Sequence, residues 1–132
     1  MDKKIRAFYA IDLNDEVRHA TQHIVDKLKA CEWSEHVRWT PVENLHLTLR
    51  FLGDVSEELL QQLNKALEEK LKACTPFSIM FKEPRLFPHF KKPRVVAATV
   101  AHNEELISVA RIFEECAVAA GLEPENRQYK GH

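Results

Sequence analysis

Apolar side chains recur at Leu45, Leu47, Leu49 and Phe51, every second position of the run Glu43 to Gly53. A period of two is the signature of a half-buried strand, whose successive side chains point to opposite faces. The pattern therefore predicts a strand with the leucines and Phe51 toward a core, and with His46, Thr48 and Arg50 on the other face. Gly53-Asp54 is expected to turn the chain. Residues 4–12 (Lys-Ile-Arg-Ala-Phe-Tyr-Ala-Ile-Asp) read as a second, largely buried strand. Three stretches carry the helical period instead. Asn14, Ser56 and Asn103 offer N-caps, each followed by a pair of acids that suits the positive end of a helix dipole. The predicted apolar faces are Val17, Ala20, Thr21, Ile24 and Leu28; Leu59, Leu63, Ala66, Leu67 and Leu71; and Leu106, Ala110, Phe113 and Ala117, the last helix closed by Gly121.

Shorter elements fill the remainder. Val37 to Thr40 suggests a brief strand before Pro41, and Phe77 to Phe81 alternates like a strand. Glu83 to Pro93 reads as a loop, Arg94 to Ala101 as a strand, and 127–132 as the opening of another strand. A strand followed by Asn or Ser, two acids and an amphipathic helix occurs three times. That rhythm points to duplicated strand–helix units in one α+β domain covering residues 1–132, although the shared Leu-Lys-Ala-Cys at 28–31 and 71–74 is too short to establish a repeat.

Composition narrows the classes. A chain of 132 residues with 45% hydrophobic and 30% charged residues has the make-up of one globular domain. A net charge of −1 supplies no global field toward nucleic acid or membrane, so any anion site must be local. No apolar run approaches the ~20 residues of a membrane span. Cys31, Cys74 and Cys116 are odd in number and widely spaced, which suits reduced thiols in the cytoplasm better than a disulfide framework or zinc site. His19 and His23 lie four apart on a helix but lack a third ligand nearby, so they read as a solvated face and no metal is expected.

Taken alone, His46 and Thr48 are first a polar strand face meeting solvent. Their flanks reverse that reading. The stretch Arg38-Trp-Thr-Pro-Val-Glu-Asn-Leu-His46-Leu-Thr48-Leu-Arg50-Phe-Leu-Gly53 closely resembles the first signature of the 2H phosphoesterases, most of all the LigT-type RNA 2′,3′-cyclic phosphodiesterases, also called 2′-5′ RNA ligases. The opening strand, Arg6 to Leu13, and Phe87-Pro88 with Pro93-Arg94-Val95-Val96 are similar to further parts of that family, so the likeness covers nearly the whole chain.

The resemblance implies a two-lobed, pseudo-symmetric α+β fold: antiparallel sheets with outer helices and a central groove. It also implies two His-x-Thr motifs facing each other and hydrolysis of RNA 2′,3′-cyclic phosphate ends to 2′-phosphomonoesters. Two imidazoles can supply one acid and one base near neutral pH. Carried over by residue, His46 is the expected proton donor, Thr48 a hydrogen-bond donor to phosphate, and His132, after Tyr129-Lys-Gly, the expected proton acceptor. The scheme needs no metal and no cofactor; the expected partners are RNA termini or nucleotide 2′,3′-cyclic phosphates. Arg50 is a candidate for steering phosphate. One of Phe8, Tyr9, Phe51 and Tyr129, with Phe8 and Tyr129 preferred, is a candidate for stacking a base, against core packing as the default for each. The basic run Lys91-Lys92-Pro93-Arg94 is a candidate for reaching RNA phosphates.

The sequence departs from the family where it stops. The second threonine, the arginine expected after it and the terminal strands are absent, so the domain is expected to be incomplete and its activity impaired. A carboxylate beside His132 would favour the imidazolium and repel phosphate. ATP-independent 2′-5′ RNA ligation and a non-catalytic RNA- or nucleotide-binding relic are the alternatives.

Overall fold

The structure, a computed structural model, describes residues 3–87 and 95–129. Its elements run β1 (Lys4–Asp12), α1 (Asp15–Lys29), β2 (His46–Ser56), α2 (Glu57–Leu71), β3 (Phe81–Phe87), β4 (Val95–Val100) and α3 (Glu104–Ala119), with 3-10 turns at Glu32–His36 and Val42–Asn44. The class is α+β. β1 pairs antiparallel with β2, β3 pairs antiparallel with β4, and α2 and α3 pack on each other and on β2.

All three helices start where the caps predict. The side chains of Asn14, Ser56 and Asn103 accept from the backbone N–H of Val17, Leu59 and Leu106, satisfying donors that a helix's first turn leaves free. α3 buries Leu106, Ala110, Phe113, Cys116 and Ala117, and α2 buries Leu63 and Leu67. With Leu47, Leu49, Leu52 and Val55 of β2, all of these but Ala110 form the main core, each fully buried leucine contributing about 1.5–3 kcal/mol of transfer free energy. Ala66, expected on the buried face of α2, is exposed, and Leu60 packs on the core in its place. α1 stands apart. It buries no residue fully, turns Val17, Thr21, Val25 and Leu28 inward, leaves Ala20 and Ile24 exposed, and touches chiefly the two 3-10 turns.

Three expectations of the strand pattern fail for local reasons. Val37 to Thr40 is not a strand: Val37 closes a 3-10 turn, and the Trp39 indole N–H donates to Ser34 O. Phe77 to Met80 keeps its alternating burial without pairing as a strand, and β3 begins only at Phe81. β3 then continues through Pro84, expected in a loop, because the register shifts between Phe81 and Pro84. Such an irregularity accommodates a residue with no N–H to donate.

The largest departure lies in β2. It does not end at Gly53 but runs on to Ser56, and two register shifts against β1 reset its alternation. Ala10 faces Thr48 while Tyr9 faces Arg50, which leaves Leu49 as an extra residue. Phe8 faces Phe51 while Ala7 faces Gly53, which leaves Leu52 extra. Gly53 takes φ +74°, a left-handed conformation that glycine adopts at little cost. Directly opposed residues of an antiparallel pair share a face. Ile11/Leu47 and Tyr9/Arg50 therefore face the helices, whereas Asp12/His46, Ala10/Thr48 and Phe8/Phe51 lie on the open face.

Candidate active site

His46 is the first residue of β2, held from the turn before it. Its Nδ1 lies 2.9 Å from Asn44 O. A carbonyl oxygen only accepts, so Nδ1 carries the hydrogen, and in the neutral ring Nε2 keeps the lone pair. The Phe8 ring stacks on the imidazole, centroids 4.8 Å apart at an interplanar angle of 26°, and Phe51 continues the row at 5.7 Å from Phe8. Between them the sheet carries only Ala10 and Thr48 on this face, and Ala10 is too small to keep the rings apart. Thr48 follows His46 at a two-residue interval on the same face, so a hydroxyl and a fixed imidazole share one rigid surface.

Phe51 belongs to this face, against the simple alternation: 62% of its surface is exposed, while Leu52 beside it is buried. A period-two reading misses it because the extra residue before it, Leu49, is a property of pairing with β1. Gly53 is the one local hint.

Arg50 is corrected in the opposite direction. The first register shift turns it to the Tyr9 side, away from His46. Its Nε donates to Glu114 Oε2 of α3 at 2.7 Å and its Nη2 to Glu123 O at 2.7 Å. Burial resists ionisation of Glu114, but hydrogen bonds from Arg50 and from Glu125 N–H, together with the guanidinium charge, outweigh it and hold the carboxyl below its ordinary range. The guanidinium thus ties β2 to α3.

Tyr129 is half-buried and donates its hydroxyl to Thr48 O at 2.9 Å, and burial raises its phenol above the ordinary range. Packed on the main core, it brings the end of the described chain beside the Thr48 backbone. His132, three positions on, and the run Lys91-Lys92-Pro93-Arg94 lie outside the described residues. Among those described, His19 and His23 are exposed on α1, no cluster of three or more potential metal ligands occurs, and no helix is long and apolar enough to cross a membrane. Cys31, Cys74 and Cys116 are free thiols.

The site thus consists of an imidazole with its Nδ1–H held by Asn44 O beside a threonine, on the open face of an antiparallel pair backed by helices. The family profile described as LigT like Phosphoesterase matches residues 11–97, and the chain belongs to that family. It is 34% identical over 129 residues to the RNA 2′,3′-cyclic phosphodiesterase of Methanothermobacter thermautotrophicus, covering 98% of this chain and 68% of the relative. The protein of the same name from Archaeoglobus fulgidus is also 34% identical, over 97% of this chain and 69% of its own length. Among solved structures, TT0787 of Thermus thermophilus superposes with a TM-score of 0.78 at 27% identity, over 97% of this chain and 71% of that one. E. coli LigT complexed with 3′-AMP gives 0.73 at 25% identity, over 98% of this chain and 71% of that one.

Proposed function

We propose that this chain acts on RNA or nucleotide 2′,3′-cyclic phosphates, hydrolysing them to 2′-phosphomonoesters by acid–base chemistry. Water attacks phosphorus opposite the 3′-oxygen, the bond from phosphorus to that oxygen breaks, and the leaving oxygen takes a proton. In this reading His46 acts as the imidazolium, keeping Nδ1–H on Asn44 O while it delivers the Nε2 proton and is left as the neutral Nδ1–H ring, and His132 accepts one from the attacking water. Thr48 donates a hydrogen bond to a non-bridging oxygen as negative charge builds. One acid and one base complete the step, so it calls on no metal and no cofactor.

The observation that carries the reading is the His46 ring itself. With Nδ1 engaged by Asn44 O, the nitrogen left to exchange a proton is Nε2, on an open face shared with Thr48. Names borne by relatives at 34% identity support the substrate class. The Tyr129 tether to Thr48, three positions before His132 in the chain, is compatible with two opposed histidines. Phe8, stacked on His46, extends the site toward a base. A cytoplasmic location, where thiols stay reduced, belongs to the same proposal.

The test is release of a 2′-phosphate end from an oligonucleotide carrying a 2′,3′-cyclic phosphate, followed together with joining of RNA halves. His46→Ala should lower turnover by roughly 10²–10⁴-fold, the usual worth of a positioned proton donor. Undiminished turnover in that variant removes His46 from the mechanism. Joined product in place of 2′-phosphate makes ligation the activity, and binding without turnover makes the chain a relic.

A further inference from the structure

Arg18 lies on α1, outside the open face of the sheet, and no part of the chemistry above uses it. Its guanidinium nevertheless gathers three backbone carbonyls from two separate parts of the chain. Nε donates to Leu13 O at 3.0 Å; Nη1 donates to Val42 O at 3.1 Å and to Glu43 O at 2.6 Å. Leu13 follows Asp12, the residue paired with His46 across the sheet. Val42 and Glu43 are the two residues before Asn44, whose carbonyl holds Nδ1 of His46. The site of contact is thus the entry to β2 and the exit from β1, clamped together by one side chain.

The turn at Val42–Asn44 is anchored at its start by the buried Val42 side chain. It is three residues long, closed by Asn44 N–H to Pro41 O and Leu45 N–H to Val42 O. A turn this short leaves its last carbonyls without intrahelical donors. Arg18 adds a second donor at Val42 O, beside Leu45 N–H, and supplies one at Glu43 O, and a planar guanidinium does so with fixed directions that an ammonium lacks. The sequence prepares this placement: Asn14 caps α1 through Val17 N–H, and Asn14 O accepts from Arg18 N–H, which sets where Arg18 leaves the helix.

We infer that Arg18 is a positioning residue: by clamping the 42–44 turn it aims Asn44 O at Nδ1 and so selects the His46 tautomer whose Nε2 serves the phosphate. The inference builds on the reading of His46 as the proton-transferring group, yet its test needs no turnover. In the ¹⁵N-histidine-labelled chain, long-range ¹H–¹⁵N correlation spectra report which ring nitrogen of His46 bears hydrogen, with the signal assigned by its loss in His46→Ala. The native chain shows the Nδ1–H form. Arg18→Ala lowers the ratio of Nδ1–H to Nε2–H forms by about fivefold, the population worth of one hydrogen bond of ordinary net strength. Arg18→Lys, which restores a charged donor but not the fork, falls between the two and serves also if the alanine variant does not fold. A merely structural Arg18 predicts lower melting temperatures with an unchanged tautomer ratio, and that result in any folded Arg18 variant overturns the inference. Failure of His46→Ala to lose turnover would count against the proposed chemistry alone and leave the tautomer result standing.

Discussion

Replacing Glu114 by Gln probes whether Arg50 is a structural tie or a phosphate ligand. The carboxylate accepts from Arg50 Nε at 2.7 Å, more distantly from Nη2 at 3.5 Å, and from Glu125 N–H at 3.0 Å. Side-chain exposures of 12% for Arg50 and 29% for Glu114 leave the pair shielded in part, stronger than a surface ion pair and short of a buried one. Glutamine keeps the shape and one acceptor oxygen but removes the charge. Between about 0.5 kcal/mol for an exposed pair and about 3 kcal/mol for a buried charged hydrogen bond, a loss of about 1–2 kcal/mol is expected at pH 7. For a chain of this size that is a fall in Tm of about 3–10 °C, read by circular dichroism. The pH dependence carries the sign. The Glu114 pKa is depressed in the folded state, so its contribution is complete above the unfolded carboxyl value of about 4.3 and is lost as pH falls through the lower folded value. The native chain and the variant should therefore differ fully above about pH 5 and converge in stability below about pH 4. Binding of a cyclic phosphate, measured well below the melting temperature, should be unaltered. Equal stability at pH 7, a gap that persists undiminished at pH 3, or weakened cyclic-phosphate binding would each refute the assignment of Arg50 as a tie between β2 and α3.

Gly53→Ala should cost about 1–2 kcal/mol in urea denaturation, all of it from the left-handed backbone, because a Cβ at that position meets nothing within 4 Å. A neutral result would mean that the strand relaxes its bulge. Tyr129→Phe removes the bond to Thr48 O while keeping the packing, and should lower stability by about 0.5–1.5 kcal/mol with an unchanged m-value. A changed m-value would instead point to a wider loss of structure at the chain's end.

Several parts of this molecule are written locally and could be read without coordinates. The helix starts are one: a capping side chain and the acids after it act within four residues, so Asn14, Ser56 and Asn103 do in the fold what their neighbourhood implies. The buried stripe of α3 is another, since its side of the helix is set by helical period alone. The His46/Thr48 pair is a third, because two residues on one strand with no bulge between them must share a face.

Beyond Thr48 that logic stops. Whether Arg50 and Phe51 face solvent or helix depends on how many β2 residues are spent against each β1 residue, and pairing settles that count between segments some forty positions apart. The extra residue Leu49 exchanges the expected faces of Arg50 and Phe51, and so moves a cation away from the histidine and an aromatic ring toward it. Arg18 is hidden for the same reason. Within the sequence it is one more charge on an amphipathic helix, and only the approach of α1 to the 42–44 turn brings its donors to the carbonyls that precede His46. Local pattern selects the elements and puts His46 and Thr48 on one face; long-range register and helix docking decide which side chains surround them.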